Sequence, residues 1–316
     1  MGSSERTISF YRILKYKTPT VNEPMADADW YKTLTFHSEQ PLTGRTTNVG
    51  GRILIGEILF YEQRAHLKLL KVRDIEAWLG IYNDNEKSVS DLQLDEDNQL
   101  YETSIISFLD FGNVIGIIQG STVAPTASAV VEWLESLCVF GKGLHLTVEP
   151  VLSNEARQQL ARAPEASRLE TRISTTKAQA LESRGSKLSG VLRKVNEEFG
   201  PMTVTLILQA SRARDNKEAR QILRAEAENL AAAADENDVL NAKAKLTYYD
   251  ADEAMKSQDV DFIRQRITAK RKIGTTGDDG LPIRNESAVR AIMQVAAEHE
   301  TELRSGVGKP KSSGPS

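Results

Sequence analysis

The sequence predicts an α+β fold of two domains, each a mainly antiparallel sheet with packed helices. The first observation is a succession of β-rich runs joined by short polar turns; the clearest hairpin joins residues 104–111 and 114–119 through Gly112 and Asn113. The second is that apolar residues recur at helical spacing in several stretches between these runs. The third is size, because 316 residues with 40% hydrophobic and 27% charged side chains give a globular chain room for two domains.

The N-terminal domain is expected to span residues 1–152. Its strands are predicted over residues 7–17, 52–61, 66–72, 104–111, 114–119 and 144–151. Pro125 opens a helix whose predicted buried stripe consists of Val130, Trp133, Leu134, Leu137 and Cys138. Residues 22–51 are predicted to form a connector rich in Pro, Gly and Thr, and residues 84–97 an acidic surface loop.

The C-terminal domain is expected to span residues 153–305 and to carry basic strands. These strands are predicted over residues 167–177, 202–211, 243–249 and 260–273. Helices are predicted after Ser153, over residues 187–199, from Asp215 and from Glu286. The second of these is predicted to bury Leu188, Val191, Leu192, Val195 and Phe199. Residues 306–316 have the composition of a disordered tail.

Targeting signals are missing from the sequence. No apolar run approaches the length needed to cross a bilayer, and the N-terminal residues lack the apolar core of a signal peptide. The single cysteine, Cys138, excludes an internal disulfide framework and is predicted to be a small core residue. These features predict a cytoplasmic protein that does not insert into membranes.

Catalytic signatures are missing as well. The sequence has no GxxxxGK[ST] phosphate loop, no GxGxxG after a strand and no GxSxG elbow. The four histidines are scattered without metal-ligand spacing; they are His37, His66, His145 and His299. Carboxylates cluster near Asp95 and near Asp278, but both clusters are interpreted as hydrated loops. The chain is therefore predicted to be no enzyme, with neither a cofactor nor a metal site.

Basic residues, in contrast, follow several predicted strands of the C-terminal half. The longest such strand covers residues 260–273, and one of its faces carries Phe262, Arg264, Arg266, Thr268, Lys270 and Lys272. If the strands are sheet neighbours, their cations lie about 5–10 Å apart, which favours an anion with regularly spaced charge. The candidate DNA-binding residues are Arg168, Arg172, Arg212, Arg214, Lys243, Lys245, Arg264, Arg266, Lys270, Arg271 and Lys272. An ordinary solvated sheet face is the alternative.

Residues 104–152 resemble a known family. The matching residues are Phe108, Gly112, Ile115, Gly116, Pro125-Thr126-Ala127-Ser128, Trp133-Leu134 and Val148-Glu149-Pro150-Val151. This pattern resembles the RexA-like sensor proteins of lambdoid phage-exclusion pairs, and more loosely the DUF4868 proteins of Kiwa-type defence systems. The resemblance implies a two-domain cytoplasmic homodimer that binds duplex DNA without sequence preference and acts with a membrane partner encoded nearby. It assigns no DNA-contacting residue.

The basic strands and the resemblance together predict a sequence-independent binder of double-stranded DNA, acting as a sensor in an anti-phage system. Arg and Lys side chains would follow the phosphates, and Arg is able to make bidentate contacts. Lys270, Arg271 and Lys272 lead into the loop at residues 274–280, which is expected to close over a bound backbone. Two alternatives remain: a protein-interaction module that binds an acidic partner, and a metal-dependent nuclease with distant carboxylates.

Overall fold

The computed structural model describes most of the chain. It covers residues 2–18, 21–23, 25–73, 80–83, 87–91, 98–141, 145–182, 184–211, 216–233, 239–249, 255–275 and 284–307. Helices and antiparallel sheets make up these residues, which confirms the predicted α+β class. Within the described residues, no helix is both long and apolar enough to cross a membrane.

The described elements are numbered in chain order. The strands are β1 Ser3–Thr18, β2 Val21–Glu23, β3 Thr46–Val49, β4 Arg52–Tyr61, β5 Arg64–Val72, β6 Gly80–Asn83, β7 Ser88–Asp91, β8 Tyr101–Phe108, β9 Val114–Gln119, β10 His145–Pro150, β11 Glu165–Ser174, β12 Thr203–Gln209, β13 Val239–Tyr249, β14 Met255–Asp261 and β15 Thr268–Gly274. The helices are α1 Trp30–Ser38, α2 Ala127–Ser136, α3 Asn154–Arg162, α4 Ala178–Glu182, α5 Leu188–Phe199, α6 Lys217–Ala233, α7 Arg284–Glu298 and α8 Glu300–Val307.

The long strand β1 organises a nine-stranded sheet, in which the order is β10-β1-β9-β8-β5-β4-β3 and both β15 and β2 also pair with β1. Side chains alternate along β1, so the strand serves two apolar cores. Ile8 and Phe10 pack with residues of α7 and α8, whereas Tyr11 and Ile13 pack on the other face with residues of α1 and α2. Helices therefore cover both faces of this sheet.

A second sheet has four strands in the order β12-β11-β13-β14, all antiparallel. Its inner face is apolar, because Leu169, Ile173, Ala244 and Leu246 are buried in one core with residues of α3, α4, α5 and α6. The opposite face, called the outer face, carries the alternate residues of each strand, and these residues are mostly polar and more exposed.

The single strand predicted over residues 260–273 is wrong. Strand β14 ends at Asp261 in the four-stranded sheet, whereas β15 pairs with β1 in the nine-stranded sheet. Phe262 is fully buried in the core of the four-stranded sheet and so turns the chain inward. Asp261 stabilises this turn, because its Oδ1 accepts hydrogen bonds from the amides of Ile263 and Arg264.

Three further expectations differ from the structure. Strand β15 and helices α7 and α8 pair with β1 or pack in a core of the nine-stranded sheet, although their residues up to 305 were assigned from sequence to the C-terminal domain and residues 306–307 to the tail. Cys138 is exposed with a φ of 53°, because the chain leaves the helix there. The predicted loop at 84–97 overlaps the hairpin of β6 and β7, while its residues 84–86 and 92–97 lie outside the described part of the chain.

Candidate nucleic-acid interface

The outer face brings together four of the predicted cations. Arg168 and Arg172 stand on β11, and Lys243 and Lys245 stand on its neighbour β13. The predicted clustering of these cations requires the strands to be sheet neighbours, and β11 and β13 are neighbours. Side chains on one face of a strand point the same way, so all four cations project from the outer face. Of these, Arg168, Arg172 and Lys243 are exposed and Lys245 is half-buried.

Arg168 and Lys245 are directly opposite each other on adjacent strands. Like charges in this position repel and destabilise a sheet. The pair lies beside a local irregularity of register between Ala166 and Arg168 of β11. Such a pair is favourable where an anion lies above both side chains.

Carboxylates share the outer face, so the predicted rows are not purely cationic. Glu170 lies opposite Lys243 and forms an ion pair with Arg168, with 3.0 Å between Oε2 and Nη2. On the edge strand β14, Asp259 lies opposite Lys245 and Asp261 opposite Lys243. Sequence reasoning missed the two aspartates as neighbours because only the register of β13 and β14 places them there.

Arg264 extends the cationic part of the outer face beyond the end of β14. Its side chain is 87% exposed, and its Nε lies 3.6 Å from Oδ2 of Asp261. Asp261 also accepts the two backbone hydrogen bonds of the turn, so the amides of the turn offset part of its negative charge. We call Arg168, Arg172, Lys243, Lys245 and Arg264 the outer-face cations.

Four predicted site residues lie elsewhere. Arg266 is buried, with only 7% of its surface exposed. The other three belong to β15 in the nine-stranded sheet, where Lys270 lies 3.7 Å from Glu5 and Arg271 pairs with Glu298 of α7; they are Lys270, Arg271 and Lys272. Their separation from the outer face follows from the break after Asp261, which the alternating sequence did not reveal.

Several residues of the sequence predictions lie outside the described residues. They include Arg212 and Arg214, two of the candidate DNA-binding residues. They also include residues 276–280 of the loop that was expected to close over DNA. The clustered carboxylates at Asp95 and Asp278 lie outside them too. Among the residues that are described, no group of three or more His, Cys, Asp or Glu side chains is placed to hold a metal ion.

The remaining side chains of the outer face are mostly uncharged. Gln209 and Thr205 of β12 lie opposite Arg168 and Arg172, and Ile207 between them is 55% exposed. Asn241 of β13 donates a hydrogen bond of 2.9 Å from Nδ2 to Oε1 of Glu170. The surface thus combines amide and hydroxyl donors with the cations, and both can contact phosphate oxygens.

Compared with models of known protein families, the chain gives no match, and no curated protein matches it significantly.

Proposed function

We propose that this protein binds double-stranded DNA without sequence preference, through the outer-face cations. The observation that carries the proposal is the opposition of Arg168 and Lys245 on a sheet face that no described helix covers. Two cations held side by side are stabilised by an anionic ligand, and a phosphate backbone supplies anionic charge at regular intervals.

The spacing of the cations supports a backbone ligand. Alternate side chains of an antiparallel strand stand about 6.8 Å apart, which is twice the rise of about 3.4 Å between phosphates along one DNA strand. Arg168 and Arg172 are four residues apart on β11, so their Cα atoms lie about 13.6 Å apart, a length equal to the axial rise of about four base pairs. Contacts of this kind fix position on the duplex without reading its bases.

The test is the salt dependence of binding to unrelated duplexes. If each outer-face cation contacts one phosphate, each chain bound to the duplex contributes about −4.5 to the slope of log affinity against log salt. The double variant Arg168→Gln/Lys245→Gln removes two contacts per chain and should bring the contribution of each chain to about −2.7. The matched control is Lys270→Gln/Lys272→Gln, which makes the same charge change on β15 and should leave the slope unchanged. Equal effects of the two variants would refute the outer face as the site.

A substitution of Glu170 gives a second test, in which DNA binding is expected to become tighter. Its carboxylate sits among the cations, next to Arg168 and opposite Lys243. Glu170→Gln keeps an acceptor for Asn241 but removes a charge that repels phosphate. We expect this variant to bind DNA several-fold more tightly at low salt, and weaker binding would contradict the proposal.

A protein-interaction module is the second candidate function. It is favoured by the carboxylates Glu170, Asp259 and Asp261 on the same face, because interspersed charges of both signs suit a protein surface. Exposed Ile207 adds an apolar contact. A partner recovered by wild-type protein but not by Ile207→Ser, together with a flat response to every duplex, would favour this function.

The proposal extends to the cellular role. We infer a cytoplasmic, homodimeric sensor of an anti-phage system that signals to a membrane effector, and the RexA-like pattern of residues 104–152 supports this role. The genomic neighbourhood tests it. A small membrane protein encoded beside this chain, and loss of phage protection when either reading frame is deleted, are the expected results.

A further inference from the structure

A cleft of about 410 Å³ opens at one end of the nine-stranded sheet, away from the outer face. Three segments line it: residues 28–31 at the start of α1, residues 63–65 at the turn between β4 and β5, and residues 108–110 at the end of β8. Its volume falls within the range of about 300–1,000 Å³ that is usual for small-ligand sites. The cleft is therefore large enough for a small molecule.

The side chain of Asn113 holds two walls of the cleft together. It is 2% exposed and lies in the connection between β8 and β9, into which residues 108–110 run. Its Oδ1 accepts a hydrogen bond of 2.8 Å from the amide of Ala28, and its Nδ2 donates to the carbonyls of Met25 and Ala26. The segment that leads into α1 is thus fixed against the end of β8, so the cleft is preformed.

Arg64 connects the third wall to the same strand end. The turn before it is tight, with φ values of 50° at Glu62 and 60° at Gln63. Nη2 of Arg64 lies 2.6 Å from Oδ2 of Asp110. Both side chains are accessible to solvent, so this ion pair is weak and a ligand can compete for the carboxylate.

The buried part of the lining is apolar. Trp30 and Phe108 are 6% and 4% exposed, and their ring centroids lie 4.4 Å apart. Ala65 and Leu109 are buried beside them in the lining. This part of the cleft suits the hydrocarbon portion of a ligand.

The charged part of the lining is acidic, because Asp29 and Asp110 face only one cation, Arg64. Oδ1 of Asp29 accepts a hydrogen bond of 2.9 Å from the amide of Lys32, so Asp29 already caps α1 and the helix end attracts an anion less. Among the described residues, the side chain of Asp29 has no other partner, and that of Asp110 has none besides Arg64. The lining therefore favours a cationic ligand.

We propose that this cleft binds a small aliphatic primary amine. Its ammonium group donates hydrogen bonds to the carboxylates of Asp29 and Asp110, and its alkyl chain lies against Trp30 and Phe108. A primary ammonium has three donors, and charge-assisted hydrogen bonds of this kind are strong. A quaternary ammonium ion fits less well, because its recognition depends on open aromatic faces and only Tyr31 in this lining is largely exposed.

The experiment is titration calorimetry of the DNA-free protein with putrescine, a four-carbon diamine, at low ionic strength. Asp29→Asn and Asp110→Asn should each weaken binding by at least about ten-fold, because each removes a charge-assisted hydrogen bond. Both variants should fold, since asparagine also caps helices and Asp110 is exposed. The matched control is Glu286→Gln, which removes the carboxylate of another exposed ion pair with an arginine and should bind like the wild type.

Arg64→Gln should have the opposite effect. It removes the cation that competes for Asp110 and repels the ligand, so putrescine should bind several-fold more tightly. A gain in affinity cannot result from misfolding. Arg290→Gln makes the same charge change on α7 and should leave the affinity unchanged.

Three results would overturn the proposal: no saturable binding of putrescine to the wild type, an unchanged affinity in either aspartate variant, or an equal loss in Glu286→Gln. Choline is the second probe, and binding as tight as that of putrescine would exclude a site for primary amines. The salt slope for duplex DNA should keep its wild-type value in Asp110→Asn, so failure of this site and failure of the outer face are distinguishable.

Discussion

Arg220 of α6 donates a hydrogen bond from Nε to Oε2 of Glu165 at the start of β11, and both side chains are buried, with 4% and 0% of their surface exposed. The hydrogen bond to Glu165 raises the pKa of Arg220, so the guanidinium stays charged. Nη1 of Arg220 reaches the carbonyl of Ser211, and the hydroxyl of Tyr249 lies 3.3 Å from Oε1 of Glu165. The pair joins α6 to the inner strand β11 of the four-stranded sheet.

Breaking this pair should be costly. Arg220→Ala leaves the carboxylate of Glu165 buried without its cation, so we expect the free energy of unfolding to fall by about 3–5 kcal/mol. The measurement is urea unfolding at pH 7. Arg290→Ala is the control, because Arg290 pairs with Glu286 on an exposed helix face and should cost less than about 0.5 kcal/mol. Equal losses in the two variants would contradict the difference in burial.

Substitution by alanine should have opposite effects on stability at two glycines. A Cβ at Gly56 of β4 would lie 2.1 Å from Cζ2 of the fully buried Trp133, so Gly56→Ala should lower stability by about 1–3 kcal/mol. A Cβ at Gly190 inside α5 meets no atom within 4 Å. Gly190→Ala should therefore raise stability by up to about 1 kcal/mol, because alanine is the better helix former. A pair of thermal melts decides both, and a stabilising Gly56→Ala would show that Trp133 can move.

Local signals in the sequence were informative where the structure depends on neighbouring residues. Gly112 and Asn113 adopt φ values of 61° and 52° in the connection between β8 and β9, where a turn was predicted, although β8 ends at Phe108 and not at residue 111, so the connection is longer than two residues. Leu188 and Leu192 of α5 are buried as predicted. Val191 and Phe199 were predicted to be buried too, but they are 46% and 68% exposed because the core contacts only one side of the helix.

Distant contacts explain the larger misses. Residues 260–273 alternate as a strand does, and nothing local shows that Phe262 belongs to one core and Ile273 to another. Asp261 was the available signal, since aspartate favours turns. The outer face was predictable in part, because the alternation of β11 identified Arg168 and Arg172. The presence of Asp259 and Asp261 beside the lysines depends on the pairing of β13 with β14, which the local sequence does not reveal.

His66 should make stability depend on pH. It is 1% exposed, its Nδ1 lies 3.0 Å from Oγ of Ser107, and burial lowers its pKa below the ordinary value of 6.5. Between the two pKa values the unfolded chain binds more protons than the folded one, so stability falls as pH is lowered through 6.5. The slope is at most about 1.4 kcal/mol per pH unit for one histidine.

The measurement is urea unfolding of wild type and His66→Gln between pH 7.5 and about pH 5. The variant should lose less stability on acidification than the wild type, whatever its stability at pH 7.5. Buried His37 contributes in the same direction, since burial also lowers its pKa, so some dependence should remain. An unchanged slope in His66→Gln would show that this imidazole becomes protonated without cost.

The edge strand β12 is the surface that we expect to form the homodimer. It ends the order β12-β11-β13-β14, and its sequence TVTLILQ contains no charge and no proline. Its register with β11 runs without a bulge from Thr203 to Gln209. Edge strands that act alone are usually protected by charges, prolines or bulges, so an unprotected one is suited to pairing with a second copy. Antiparallel pairing of two β12 strands about a two-fold axis would join the two outer faces into one DNA-binding surface.

Charges on this edge should therefore dissociate the dimer. Thr205→Lys/Ile207→Lys places two cations on exposed positions of β12, and like charges then face each other across the two-fold axis. Sedimentation velocity should show the wild type at twice the mass of the chain and the variant at the mass of one chain. Ser257→Lys on β14, the opposite edge of the same sheet, is the control and should remain dimeric.

Because the dimer doubles the number of outer-face cations on one duplex, the dissociated variant should also have a smaller salt slope despite its added charge. A dimeric Thr205→Lys/Ile207→Lys variant would exclude β12 as the interface.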